Sequence, residues 1–363
     1  MKRIYLAVTN DLSYDQRMQR ICGSLAAAGY AVTLVGRKRP GSLPLADRPY
    51  RQRRLSCFFE RGFLFYAEFN LRLLLFLLFR RFDALCAIDL DTALPCLWAG
   101  KLKGVILLFD AHELFTEMKE VRRRPRVHAV WTRVEAYAVP RFQYRYTVAA
   151  AVAEVLLEKY GSPFLVVRNM PLLQPPPPAP ASPPFLLYQG AVNEGRGFEW
   201  LLPAMKRIPL PLVVCGDGNF MDELRRLIAQ HGLEQKVDLR GMLPPDELRR
   251  ITPLATIGVN FTEPEGLNQL LCLPNKFFDY VQAGVPQLTN DYLEYVRHNA
   301  EFEVALLVRD WSPEGIAAAA LRLLDDKELY GRLRHNCLLA RACWHWERES
   351  QKLLELYQSA LPL

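Results

Sequence analysis

The chain reads as an α/β protein built from two doubly wound, Rossmann-like domains. Three observations predict this. Short apolar runs alternate with helical patterns along the whole length, as repeated βαβ units and helix-covered parallel sheets require. At 363 residues the chain exceeds one ordinary core, because about 150 residues per domain is the prior. Near the middle, residues 174–184 interrupt the alternation with seven prolines in eleven positions. Such a stretch is stiff and offers no core-forming side chains, so it is read as a linker.

In the first half the expected strands are residues 3–9, 31–37, 51–59, 83–89, 105–110, 144–150 and 164–168. The rhythm restarts after the prolines with 185–189, 212–215, 237–240, 257–261, 286–289 and 304–308. The expected domains are therefore 1–173 and 185–345. A last helix from Trp346 carries Leu353, Leu354, Leu356, Tyr357 and Leu361 as an apolar stripe. Periodicity leaves open whether 346–363 caps the second domain or crosses back to complete the first. Two such domains facing each other would hold a ligand in the cleft beyond the carboxyl ends of their strands.

Composition narrows the class. Half the residues are apolar and 23% are charged, which excludes collagen-like, disordered and disulfide-scaffold proteins. Met1-Lys2-Arg3 runs straight into the strand-like Ile4-Tyr5-Leu6-Ala7-Val8, with no leader pattern, so a cytoplasmic protein is expected. Eight cysteines never form CxxC and suit reduced core thiols rather than disulfides. The net charge of +7 is uneven: residues 1–172 hold 27 Lys/Arg against 15 Asp/Glu, and residues 173–363 hold 19 against 24. An anionic membrane surface would suit the basic half; nucleic acid is the other target such charge allows, and it is not expected as a partner.

Residues 63–79 contain twelve Leu or Phe. On an insertion scale these contribute roughly −4 to −7 kcal/mol, while Glu68 and Arg72 cost roughly +5 to +7, so spanning gains nothing clear. The segment is expected as a core helix or as one lying in a membrane interface beside Arg61, Arg80 and Arg81, on the inner face of the cell membrane.

Several segments carry candidate chemistry. The first strand ends in Thr9-Asn10-Asp11-Leu12-Ser13, without the glycines of a dinucleotide turn. Cys215-Gly216-Asp217-Gly218-Asn219 follows a strand and allows close backbone approach. In Leu273-Pro274-Asn275-Lys276, a proline opens a helix and puts Asn275 and Lys276 at its N-terminus, where free amides favour an anion such as a diphosphate. Asp279 lies one turn further and could accept from a ribose hydroxyl. Residues 187–198 make a strand, a glycine-rich turn at Gly190, Gly195 and Gly197, and a helix start carrying Arg196. No metal is expected. His335, Cys337, Cys343 and His345 have the wrong spacing for one, and Asp89 and Asp91 belong to the other half.

In that order and spacing, and with Gly284-Val285-Pro286, the second half resembles the donor-binding domain of GT-B glycosyltransferases of the retaining family-4 type. In the first half Asp110-Ala111-His112-Glu113 looks like the family's DxHE segment, and Asp15-Gln16-Arg17-Met18 with Gly29-Tyr30-Ala31-Val32 like its opening helix and second strand. The resemblance implies a nucleotide-diphosphate sugar as donor, a UDP-sugar foremost, no cofactor, and a glycan, lipid-linked or other acceptor, as in polysaccharide biosynthesis. It implies that Arg196 and Lys276 bind the diphosphate and that Gly190, Gly216 and Gly218 line the nucleotide. Met242 would border the base, Asn275 sit at the phosphate-facing helix start, Asp279 hold the ribose, and His112 face the donor sugar. Two positions depart from the pattern: Ala191 replaces a second basic residue, and Leu271 replaces the first Glu of the EX7E motif. Sugar contacts are then expected from Glu263, Glu265 or Asn268. A GT-B sugar-nucleotide epimerase and a non-catalytic GT-B subunit are the rival readings.

Overall fold

A computed structural model describes residues 1–363 apart from Tyr14, Ala179, Ala181 and Ser182. Its strands fall where the apolar runs do. They are β1 (Arg3–Ala7), β2 (Ala31–Lys38), β3 (Arg51–Ser56), β4 (Ala84–Ile88), β5 (Ile106–Ala111), β6 (Tyr144–Thr147), β7 (Leu165–Val166), β8 (Leu186–Gln189), β9 (Leu212–Cys215), β10 (Val237–Gly241), β11 (Ile257–Asn260), β12 (Gln287–Asn290) and β13 (Ala305–Val308). The first seven form one parallel sheet in the order β3-β2-β1-β4-β5-β6-β7, and the other six a second, β10-β9-β8-β11-β12-β13. The two sheets make a two-domain, Rossmann-like architecture.

Central strands such as β4 and β8 are buried at every position, which is why they read as unbroken apolar runs rather than alternating ones. The exposed edge strand β3 is instead Arg51-Gln52-Arg53-Arg54, charged as an unpaired edge should be. The helix Gln16–Ala27 starts at Asp15, whose side chain accepts from the Met18 amide, and buries Met18, Ile21, Cys22 and Leu25. All eight cysteines are free thiols.

The chain divides into two compact units, Met1–Asn169 with Glu349–Leu363, and Met170–Arg348. The change of unit thus comes at Asn169 and again at Arg348, and residues 174–184, expected as the linker, lie inside the second unit. Of that stretch Ala179, Ala181 and Ser182 are outside the described residues. Prolines have no N–H to give but keep their carbonyls, and Arg341 donates to the carbonyls of Gln174 and Pro175 while Arg334 donates to that of Pro178. The final helix, Trp346–Ala360, completes the first unit: Glu349 pairs with Arg168 at 3.0 Å, and Tyr30 Oη donates to the Leu361 carbonyl at 3.0 Å.

The leucine-rich segment is the helix Gly62–Leu78. Phe65, Phe69, Leu73 and Leu77 are buried, whereas Leu64, Leu71 and Leu75 on the opposite side are exposed. The Glu68–Arg72 pair forms at 2.7 Å, and Glu68 also accepts the amides of Phe58 and Phe59. Among the described residues no helix is long and apolar enough to cross a membrane.

Candidate active site

Each sheet reverses its strand order once, between β1 and β4 and between β8 and β11, and such switch points leave a crevice beyond the carboxyl ends. The predicted residues other than Met242 lie on loops and helix starts near these two places.

In the second unit β8 runs into the glycine-rich loop, which packs against the loop after β9. A side chain at Gly216 would place its Cβ 1.8 Å from the Gly190 carbonyl oxygen, and one at Gly218 2.3 Å from that of Val192. Only glycine fits either position. The Gly190 amide donates to the Cys215 carbonyl at 3.0 Å, the Val192 amide to that of Asp217 at 3.0 Å, and the Asn219 amide to Asn193 Oδ1 at 3.2 Å. The two glycines therefore serve first to let one loop lie on the other.

Lys276 is the second residue of the helix Asn275–Gln282 and is 8% exposed. Its Nζ sits 3.8 Å from the centre of the Tyr188 ring and has no hydrogen-bond partner among the described residues. Burial drives its pKa well below that of an ordinary lysine, and the nearby Arg196 guanidinium pushes the same way. Among the described residues neither cation is paired with a carboxylate. The glycine loop lies over the lysine stem, since a Cβ at Gly190 would come within 4.0 Å of Lys276 Cε.

Asp279 accepts from Gln189 Nε2 at 3.2 Å, and Gln189 Oε1 in turn accepts from Thr252 Oγ1 at 2.8 Å, which ties the carboxylate to the end of β8. Asn275 is exposed at the helix start. Glu263 donates its amide to the Gly195 carbonyl at 3.0 Å, and its Oε2 would lie 3.6 Å from a Cβ at Gly195. Met242 is 69% exposed beyond the edge strand β10, two strands from β8, so the structure does not gather it with Lys276 and Arg196.

In the first unit His112 follows β5. Its Nε2 is 2.8 Å from Asp110 Oδ2 and 3.0 Å from Arg17 Nε, its amide donates to Asp89 Oδ1 at 2.7 Å, and its Nδ1 is 3.7 Å from Asp89 Oδ2. Arg17 is buried and bonds Asp110 at 3.0 Å and the Val167 carbonyl at 3.0 Å. Burial opposes the imidazolium, but Asp110 and Asp89 outweigh it and raise the His112 pKa to about 9. A protonated ring donates from Nε2 to Asp110 and cannot accept from Arg17 Nε, so that 3.0 Å contact sets one donor against another and opposes the charge. Burial also lifts Asp89 to about 7 and Asp91, which accepts from Thr9 Oγ1 at 2.5 Å, to about 6.

The sequence assigned no role at the site to three of these residues. Tyr188 reads as one more apolar strand residue. Arg17 sits in an amphipathic first turn where arginine is ordinarily exposed, and Asp89 stands in a loop whose neighbours in space are 23 residues away in sequence.

Residues 183–326 match the family of glycosyl transferases group 1, and residues 16–170 match glycosyltransferase family 4. The chain belongs to the GT-B glycosyltransferases. Its fold is shared over 99% of both chains with sucrose-phosphate synthase from Thermosynechococcus elongatus, at a TM-score of 0.81 and 19% identity. HepE of Anabaena, solved with UDP-glucose, is similar over 99% of this chain and 100% of its own, with a TM-score of 0.75 and 12% identity. An uncharacterized glycosyltransferase of Methanocaldococcus jannaschii is 23% identical over 188 residues, a match that takes in 49% of this chain and 45% of that relative.

Proposed function

We propose that the protein is a retaining glycosyltransferase that moves a sugar from a nucleotide-diphosphate sugar, UDP-linked foremost, to a glycan, lipid-linked or other hydroxyl acceptor. One observation carries the reading: at a strand-switch crevice, a buried lysine with no hydrogen-bond partner among the described residues lies beside an arginine that pairs with no carboxylate among them. Burial and the neighbouring Arg196 both disfavour a charge on Lys276, and a diphosphate bound there would remove that cost. As the bond to the sugar breaks, charge gathers on the leaving diphosphate, so Arg196 and Lys276 stabilise the transition state more than the ground state. The residues can meet that charge without a metal. The acceptor hydroxyl would attack from the face the phosphate leaves, and the phosphate oxygen would take its proton. Asp279 would accept from a ribose hydroxyl, and a protonated His112 would donate to a sugar oxygen. That HepE is solved with UDP-glucose supports this donor class. The test is a panel of nucleotide sugars in thermal melting, followed by NMR of the product anomer. No stabilisation by any of them refutes the donor site, and an inverted anomer refutes retention.

We also infer that the first unit docks on an anionic membrane. Leu71 and Leu75 of the helix Gly62–Leu78 are exposed, and so are Phe58 (85%), Phe63 and Phe79 (83%), bordered by Arg61, Arg72 and Arg80. Apolar burial and attraction of arginines to anionic lipid add in such a surface. Protein should cosediment with phosphatidylglycerol vesicles at low salt, and less after Leu71→Gln with Leu75→Gln. Equal binding to neutral vesicles, or no loss in the variant, refutes it.

A further inference from the structure

Asp89 has the wrong backbone for its residue type. Between β4 and the turn Leu90–Thr92 it holds φ 57° and ψ 174°, a region that glycine enters freely and other residues only under strain. Its amide is fixed to the Asp110 carbonyl at 2.8 Å, so the conformation is imposed by the sheet. Glycine would satisfy that turn without strain. What an aspartate adds is a carboxylate whose Oδ1 accepts the His112 amide at 2.7 Å and whose Oδ2 lies 3.7 Å from His112 Nδ1.

The other groups facing the ring do not duplicate this contact. Asp110 reaches Nε2 at 2.8 Å, but its charge is already met by Arg17 at 3.0 Å. Arg17 itself opposes a positive ring, while Asp91 and Glu113 add negative field from the same loops. Among the described residues Asp89 has no ion-pair partner other than His112.

We propose that Asp89 is a positioning residue: it holds the orientation and the positive charge of His112, and the strained turn is kept because glycine cannot do this. The elevated His112 titration, to which Asp89 contributes, is consistent with that role. For its effect on turnover the proposal rests on the glycosyltransferase reading above, but the state of the ring can be followed without it.

Two variants separate strain from charge. Asp89→Gly relieves the backbone and removes the carboxylate, whereas Asp89→Asn keeps the strain and the shape and removes only the charge. His112 would be titrated by NMR of the imidazole C–H signals in each protein, and melting measured alongside. Asp89→Gly should melt at or above the wild-type temperature, and in both variants His112 should titrate lower by about one pH unit or more, a tenfold change in proton affinity. Slow transfer from UDP-glucose to water, followed as released UDP, should fall about tenfold or more in both. Unchanged His112 titration in the two variants, or in Asp89→Asn alone if the glycine variant fails to fold, overturns the proposal. A shifted titration in a protein whose wild type neither binds nor cleaves UDP-glucose leaves the positioning role standing and refutes UDP-glucose as the donor instead.

Discussion

Replacing Lys276 by methionine should make the protein more stable and less able to hold UDP. Its Nζ is buried without a hydrogen-bond partner, and an unsatisfied polar group costs about 1–3 kcal/mol. Methionine has similar length and volume, no charge to desolvate, and keeps a sulfur–aromatic contact with Tyr188 in place of the cation over that ring. Because burial holds the Lys276 pKa well below that of an ordinary lysine, little cation–ring attraction is lost and most of the gain survives. For a unit of this size 1 kcal/mol moves Tm by about 2–4 °C, and a rise of a few degrees is expected. Binding goes the other way. A hydrogen bond from a charged donor is worth about 1.5–3 kcal/mol, so UDP should bind about 10- to 150-fold more weakly. Differential scanning fluorimetry reads the first effect and isothermal titration calorimetry the second. A Lys276→Met protein that melts lower and binds UDP as tightly as wild type would show that the lysine is a structural residue and that the phosphates bind elsewhere.

The remaining expectations concern pH, loop packing and metal. His112 has a folded pKa raised to about 9 from about 6.5, so its stabilising contribution is complete below pH 6.5 and is lost as pH rises through 9. It amounts to at most about 3 kcal/mol, and His112→Gln should flatten the fall in Tm between those pH values. Gly216→Ala drives a methyl into the Gly190 carbonyl, and should cost about 1–3 kcal/mol or more in urea unfolding and abolish UDP binding. Unchanged stability would mean the two loops are not packed as described. On the proposed reading, in which Arg196 and Lys276 meet the diphosphate charge, transfer should persist in excess EDTA; loss restored by Mg²⁺ would place the diphosphate elsewhere.

The thirteen strands, the two sheets and the helix start at Asn275 were all legible in the residues, because each depends on a pattern only a few positions long. A parallel strand buried on both faces is an unbroken apolar run, and Pro274 before Asn275-Lys276 marks a helix N-terminus wherever it folds. Four things needed the tertiary structure. The helix Gly62–Leu78 looks apolar all round, and only packing decided that Phe69 and Leu73 face inward while Leu71 and Leu75 do not. The proline-rich stretch looked like a free linker until Arg334 and Arg341, some 150 residues later in the sequence, were seen to bond its carbonyls. Nothing local shows that Lys276 would be left without a partner beneath Tyr188, or that Gly216 would face the Gly190 carbonyl. Nor does Asp89 betray a strained backbone that brings it to His112. Periodicity records which side of an element avoids water; which distant group then fills the space beside it is set by how the sheets stack their strands, and that is a property of the whole chain.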